Sequence, residues 1–303
     1  AVANAKLQDI KIVENTYFEP AASDNGLALG CAFYGWLDYL NKPKVEHNGS
    51  TCFGKQYNIQ EIENVLKEDE SSIYTKTKFE KEEELLHYCA EKLNQGKTLA
   101  WFQSGSEFGS RALGRRSILA HPGIDNLKDH INRNIKFRED FRPFAPAVLK
   151  EKVSEYFENG RISPYMILVD KTRPEYSEQL KNVTHKDGSA RLQTVDESWN
   201  GLFYRLIKTF YKISGVAVLL NTSLNRRGMP MVETPREAPK QDRILFELSN
   251  ETKEIKVNQP VQVVPMTELN DKGIVRYSLE EYMEVENELL QSKPVAKVEE
   301  PID

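Results

Sequence analysis

Residues 105–122 read GSEFGSRALGRRSILAHP. Within them, residues 111–122 hold three arginines and a histidine and no acid, with small or apolar residues between the charges. A solvated charge run would mix its signs. Three further stretches share the pattern: NIKFREDFRPFAP, THKDGSARLQTV and LLNTSLNRRG. Each sets basic or small polar residues beside Gly or Pro. The chemistry open to such residues is polyanion recognition. A guanidinium donates two parallel hydrogen bonds to a phosphate, and a lysine adds a point charge. Glycine beside an arginine lets backbone N–H groups approach the same oxygens. Asn221, Thr222 and Ser223 follow an apolar run directly, where amide and hydroxyl groups can orient a ligand. Residues 111–142 carry eight Lys/Arg against four Asp/Glu, a local +4 in a chain of net charge −5. Local excess of this kind is what an anion site requires.

Each stretch has a plainer reading. A lone Arg in GSRALG is more often a surface residue or half of an ion pair. FRPFAP reads equally as a proline-fixed loop that sends Phe141 and Phe144 into the core. NTSLN reads as a strand-ending turn. His121 and His185 read as hydrogen-bonded loop histidines, and Cys89 as core. The joint occurrence of four such stretches favours function.

These loops need elements to carry them. FEKEEELLHYCAEKLNQ (79–95) is an amphipathic helix with Leu86, Cys89, Ala90 and Leu93 inward and Gly96 as its C-terminal cap. TLAWF follows as a strand. Asp125 is expected to cap a helix through NLKDHINRN. PYMILVD (164–170) reads as a strand. ESWNGLFYRLIKTFYKIS (197–214) has apolar residues at 199, 202, 203, 206, 207 and 210, one helical face, ended by Gly215. VAVLL is the next strand. NIQEIENVLKEDE is a short helix. The DNGLALGCAFYG segment is expected to be a closely packed helix through Ala28, Cys31, Ala32 and Gly35. Alternation of helix and strand over residues 80–225 gives an α/β or α+β domain.

The bulk numbers fit a globular protein of 303 residues, 39% hydrophobic and 29% charged. No apolar run approaches the ~18 residues of a membrane span, and the start lacks a signal peptide's basic and apolar regions. Three cysteines form no close-spaced pair, which suggests a reducing cytoplasm and no thiolate metal site. With no initiator Met, the chain is expected to start inside a longer one. Residues beyond 240 are charged, and the last fifteen or so are expected to be disordered.

EFGSRALGRRSILAHP, NIKFREDFRPFAPAVL, DGSARLQTV and LLNTSLN closely resemble the C-terminal domain of the O-carbamoyltransferases of nodulation-factor, cephamycin and tobramycin carbamoylation. AVANAKL and PAASDNGLALGCAF resemble the end of that family's N-terminal domain. The resemblance covers residues 1–235. It implies an actin/Hsp70-type, Kae1-like domain with a histidine- and aspartate-bound metal, and a C-terminal domain of YrdC/Sua5 type. On this pattern residues 1–50 end the Kae1-like domain, 51–80 link, 81–238 form the YrdC-like domain and 239–303 are a divergent extension.

The resemblance also implies roles. Arg111 and Lys136 would hold carbamoyl phosphate or nucleotide phosphates. Arg142 and Arg191 would complete the cationic pocket, with Arg116 a further candidate. Asn221 and Ser223 would position the nucleotide. Asp24 would be the metal-binding aspartate, with iron or another divalent ion in the complete Kae1-like domain. The YrdC-like domain would turn carbamoyl phosphate and ATP, with Mg²⁺, into carbamoyl-adenylate. The Kae1-like domain would then carbamoylate a hydroxyl of a sugar-like or antibiotic-like acceptor. The family usually has Pro where Ser110 stands and Asn where Arg115 stands, and PKQDRILFELSNETKEIKVNQPVQVV departs from its pattern. The family's histidine ligands would lie upstream of residue 1. The Kae1-like remnant is expected to be loosely packed or covered by a second copy of the chain.

Two rivals stand beside this reading. One is a threonylcarbamoyl-adenylate synthase of tRNA modification, which the upstream SDNG disfavours. The other is a nucleic-acid-binding module built on RNRNIKFREDFR, against which net charge −5 counts.

Overall fold

The computed structural model describes residues 1–10, 16–22, 24–45, 49–68, 77–225 and 228–238. The expected extension at 239–303 and its disordered end lie outside the described residues. Six strands form one mixed sheet: β1 (Leu99–Phe102), β2 (Arg116–Ala120), β3 (Ala145–Leu149), β4 (Leu168–Lys171), β5 (Ser189–Val195) and β6 (Val218–Ser223). Their order is β1-β2-β6-β3-β5-β4. Only β3 and β5 run parallel; the other pairs are antiparallel.

Seven α-helices accompany the sheet among the described residues: α1 (Val2–Asp9), α2 (Asp24–Tyr34), α3 (Ile59–Glu68), α4 (Glu82–Asn94), α5 (Leu127–His130), α6 (Val153–Tyr156) and α7 (Glu197–Ser214). The core is shared by α4, α7 and the strands. Cys89, Ala90 and Leu93 of α4 are fully buried, as are Phe203, Leu206, Ile207 and Phe210 of α7. The Trp101 and Phe203 rings lie 6.4 Å apart, joining β1 to α7. Asp196 caps α7 by accepting from the Ser198 N–H at 2.9 Å, and Gly215 ends it in the left-handed region at φ 74°. The apolar face expected for residues 197–214 is therefore the buried one.

Several expectations are corrected. Asp125 does not cap α5; Asn126 stands there at φ 61° without a side-chain cap bond, and α5 continues as a π-turn over Ile131–Ile135. The 164–170 strand begins only at Leu168. The strand after α7 runs on through Asn221, Thr222 and Ser223, so the polar triad ends β6 rather than forming a turn. Phe144 is buried, but Phe141 is 69% exposed. The α3 helix is described to Glu68, and the expected last residues of its pattern fall outside the described residues.

Residues 1–45 differ from the rest. α1 is tied to the domain through Asn4 Nδ2, which donates to Ile167 O at 3.1 Å, and through Arg161, which donates to Ala5 O and pairs with Asp9. α2 has no buried residue. Ala28, Cys31 and Ala32 are exposed, so the close packing expected of that helix is not met among the described residues. Leu27, Phe33, Tyr34 and Tyr39 are likewise exposed.

Candidate functional site: an arginine-lined cavity

The register places the site. Ala147 is opposite both Gln193 and Leu219, and Ala145 is opposite Asn221. Partners in register share a face, as do residues two apart. Arg191 and Gln193 of β5 and Asn221 and Ser223 of β6 therefore project from one side of the sheet. Above them lies a cavity of about 330 Å³. Its polar wall includes Arg111, Arg138, Arg142, His185, Arg191 and Asn221, and among the described residues no carboxylate lines it. An adjoining open cleft of about 760 Å³ shares Arg138, Arg142 and Ser223 and adds Arg133, Lys136 and Phe137.

The cavity's electrostatics are cationic. Burial pulls Arg191 down to about 10, and the nearby Arg111 and Arg138 cations act in the same direction. Its Nε is buried and has no partner. Arg138 is lowered as well, by burial and then by Arg142. Like charges are brought together here with no acid in the wall, an arrangement that an anionic ligand relieves. His185 is lowered by burial, favouring its neutral form, and its Nδ1 lies 3.1 Å from Ser189 Oγ.

The loop that carries Arg111 is held from two sides. Glu107, fully enclosed, gathers backbone donors on Oε1: Leu113 N and Arg115 N at 2.6 Å each, and Arg116 N at 3.4 Å. From the sheet side, Gln193 Nε2 and Asn200 Nδ2 donate to Leu113 O at 2.8 and 2.9 Å, and Asn221 Nδ2 donates to Ala112 O at 3.2 Å. Asn200 reaches the loop because α7 is kinked at that residue, φ −135° and ψ 51°. Arg115 Nη2 donates to Trp199 O at 2.8 Å. Gly114 sits at φ 98°, and a Cβ there would meet the Phe203 ring at 2.2 Å. Its N–H donates to Ser117 Oγ at 3.0 Å, so this glycine shapes the turn and does not offer its N–H to an anion.

The 132–144 loop is closed in a similar way. Buried Asn132 donates to Arg142 O at 3.0 Å and accepts from Arg138 Nε at 2.7 Å. Arg138 also lies over the Phe144 ring, 4.8 Å from its centroid.

Of the residues expected from the sequence, Arg111, Arg142, Arg191, Asn221 and Ser223 meet at the cavity. Arg142 is exposed at the rim and pairs with Glu139 at 3.0 Å. Lys136 lines the cleft instead. Its Nζ donates to Ser223 O, to Asn225 O at 3.1 Å and to Asn225 Oδ1 at 2.9 Å, with Ser223 Oγ at 3.2 Å. It thus anchors the end of β6. Burial, then Arg138, lowers it to about 7.

Arg116 is corrected. It is fully buried, stacks over the Phe102 ring at 3.5 Å and donates to Gln103 O at 2.9 Å and Glu233 O at 3.3 Å, away from the cavity wall. Asp24 is exposed at the start of α2, and among the described residues no three His, Cys, Asp or Glu side chains assemble that could hold a metal. The sequence reading missed Glu107, Arg138, Gln193 and Asn200. Arg138 and Glu107 stood inside quoted motifs, but nothing in their spacing separated a loop clamp from a ligand-facing charge.

Comparison with known proteins places these loops in a family. The model for the carbamoyltransferase C-terminus matches residues 90–244. A protein of Synechocystis is 37% identical over 261 residues, 78% of this chain and 42% of that one. Nodulation protein NolO of Bradyrhizobium diazoefficiens is 35% identical over 239 residues, 78% of this chain and 43% of that one. The 3′-hydroxymethylcephem-O-carbamoyltransferase of Amycolatopsis lactamdurans is 35% identical over 214 residues, 71% of this chain and 38% of that one. The chain spans about two fifths of the length of these relatives. No helix among the described residues is long and apolar enough to cross a membrane. The matched span contains every loop of the arginine cavity, and the chain belongs to the carbamoyltransferase family through its C-terminal domain.

Proposed function

We propose that the arginine cavity binds carbamoyl phosphate and that this domain, of YrdC type, forms carbamoyl-adenylate for O-carbamoylation. One observation carries the reading: Arg111, Arg138 and Arg191 converge on a cavity whose wall has no acid, and Arg191 keeps an unpartnered buried Nε. A phosphate dianion supplies the missing charge and the missing acceptors together.

In this reading the arginines hold the phosphate of carbamoyl phosphate. Water releases phosphate and leaves carbamate. A carbamate oxygen attacks the α-phosphorus of ATP, the bond to pyrophosphate breaks, and carbamoyl-adenylate forms. An acceptor hydroxyl then takes the carbamoyl group and AMP leaves. Charge develops on phosphoryl oxygens during the α-phosphorus step, and fixed cations stabilise it. The cleft beside the cavity, walled by Lys136, Phe137 and Arg138, has room for the nucleotide. Mg²⁺ would offset charge on the nucleotide phosphates in the cleft, whose described lining includes the Glu139 carboxylate.

Acceptor carbamoylation is assigned to the complete protein, with the Kae1-like half supplying the second site. Asp24 alone is not a ligand set, since a catalytic metal normally keeps three protein ligands. The test supplies carbamoyl phosphate and Mg²⁺-ATP to the chain and to Arg111→Ala, and measures pyrophosphate. Carbamoyl-phosphate-dependent release by the wild type, reduced in the variant, is expected. Release independent of carbamoyl phosphate would refute the reading.

A further inference from the structure

We infer that Asn221 is a specificity-determining residue of the cavity: its Oδ1 accepts from the NH₂ of a carbamoyl group and so selects carbamoyl phosphate over other acyl phosphates. The inference rests on the carbamoyl phosphate reading above.

The position is rigid. Asn221 lies on β6 between β2 and β3, in register with Leu119 on one side and Ala145 on the other. Its side chain has a single sensible orientation. Nδ2 donates to Ala112 O at 3.2 Å and to Gln193 Oε1 at 2.8 Å. A backbone carbonyl can only accept. Gln193 is fixed in turn, because its Nε2 donates to Leu113 O at 2.8 Å, which leaves Oε1 facing Asn221. Turning the Asn221 amide over would set oxygen against oxygen twice. Oδ1 is therefore the free end of Asn221. It is buried, it has no hydrogen-bond partner, and its residue lines the cavity.

Two residues of the cavity lining thus hold a buried unmet group each, the donor Arg191 Nε and the acceptor Asn221 Oδ1. Carbamoyl phosphate answers both, with anionic oxygens for the arginines and an N–H for the amide. Acetyl phosphate has the same shape but puts a methyl where the NH₂ stands. That methyl leaves Oδ1 buried and unpaired, which is how a polar site rejects an analogue that lacks one hydrogen-bonding group.

The test is calorimetry of carbamoyl phosphate, acetyl phosphate and inorganic phosphate on the full chain and on Asn221→Ala. The wild type is expected to prefer carbamoyl over acetyl phosphate by about ten- to a hundredfold. In the variant that ratio is expected to fall towards one, whatever happens to the affinity common to both ligands. Equal binding of the two acyl phosphates by the wild type overturns the inference while leaving the anion site standing. A ratio preserved in Asn221→Ala also overturns it. Failure of all three ligands to bind overturns the carbamoyl phosphate reading itself. Should the variant not fold, equal binding of the two acyl phosphates by the wild type still overturns the inference.

Discussion

Arg191→Met should make the protein more stable and worse at binding anions. Arg191 is held at about 10 by burial and by the Arg111 and Arg138 cations, against 12.5 or more in a free chain. Each pH unit is worth about 1.4 kcal/mol, so the folded protein carries up to about 3 kcal/mol against the charged form. The sign follows from the depressed value. Below pH 10 the side chain is protonated in both folded and unfolded states, so the whole cost is present at pH 7, and it fades only as the pH rises from 10 towards 12.5. Solvent screening of a partly exposed guanidinium reduces the figure to about 1–2 kcal/mol. Methionine keeps most of the packing stem without the charge. The expected gain is about 2–8 °C in Tm for a domain of this size. Phosphate affinity should fall about ten- to a hundredfold, the value of a charged hydrogen-bond partner. Differential scanning calorimetry with and without phosphate reads both quantities. A variant that melts lower and still binds phosphate normally would refute the claim that the site holds its arginines at the expense of stability.

Glu107→Ala should destabilise the fold by about 2–5 kcal/mol, because two buried N–H groups at 2.6 Å lose their acceptor; phosphate affinity should fall with it, and unchanged melting would sink the clamp. Arg116→Ala should cost about 2–4 kcal/mol by stranding buried carbonyls that it now satisfies, while phosphate affinity per folded molecule stays put; a selective loss of binding would return Arg116 to the site. Sulfate binding should take up protons between about pH 7 and 9, since an anion beside the cleft raises Lys136 from its free value of about 7. Affinity should therefore weaken as pH rises through that window. Titration in buffers of different ionisation heat reads the uptake, and Lys136→Met should abolish it.

The sequence displayed the main helices because their apolar stripes are long. Thirteen residues of α4 and eighteen of α7 give several turns of evidence each. The strands were harder. β2, β3 and nearly all of β5 are buried on both faces, so no alternation marks them, and β5 reads first as a chemical motif, whereas VAVLL, read as a strand, supplies the start of β6. Arg111, Arg142, Arg191 and Asn221 were legible as a cluster because loops and strand ends advertise unusual polar residues. Lys136 and Arg116 show the limit. Arg116 stands in the same motif as Arg111 and Lys136 in the same motif as Arg142, yet Lys136 anchors Ser223 and Asn225 and Arg116 stacks on Phe102. Spacing alone does not separate Arg111, which faces the cavity, from Arg115 and Arg116, which turn to Trp199 and Phe102 instead. Glu107 was invisible for a related reason: its partners are backbone N–H groups, which every sequence contains.

The most direct measurement is a crystal structure of the chain soaked with carbamoyl phosphate. The account predicts phosphate density within hydrogen-bonding distance of Arg111, Arg138 and Arg191, with the carbamoyl nitrogen on Asn221 Oδ1. Density confined to the outer cleft beside Arg133 and Lys136, with the arginine cavity holding only water, would contradict it.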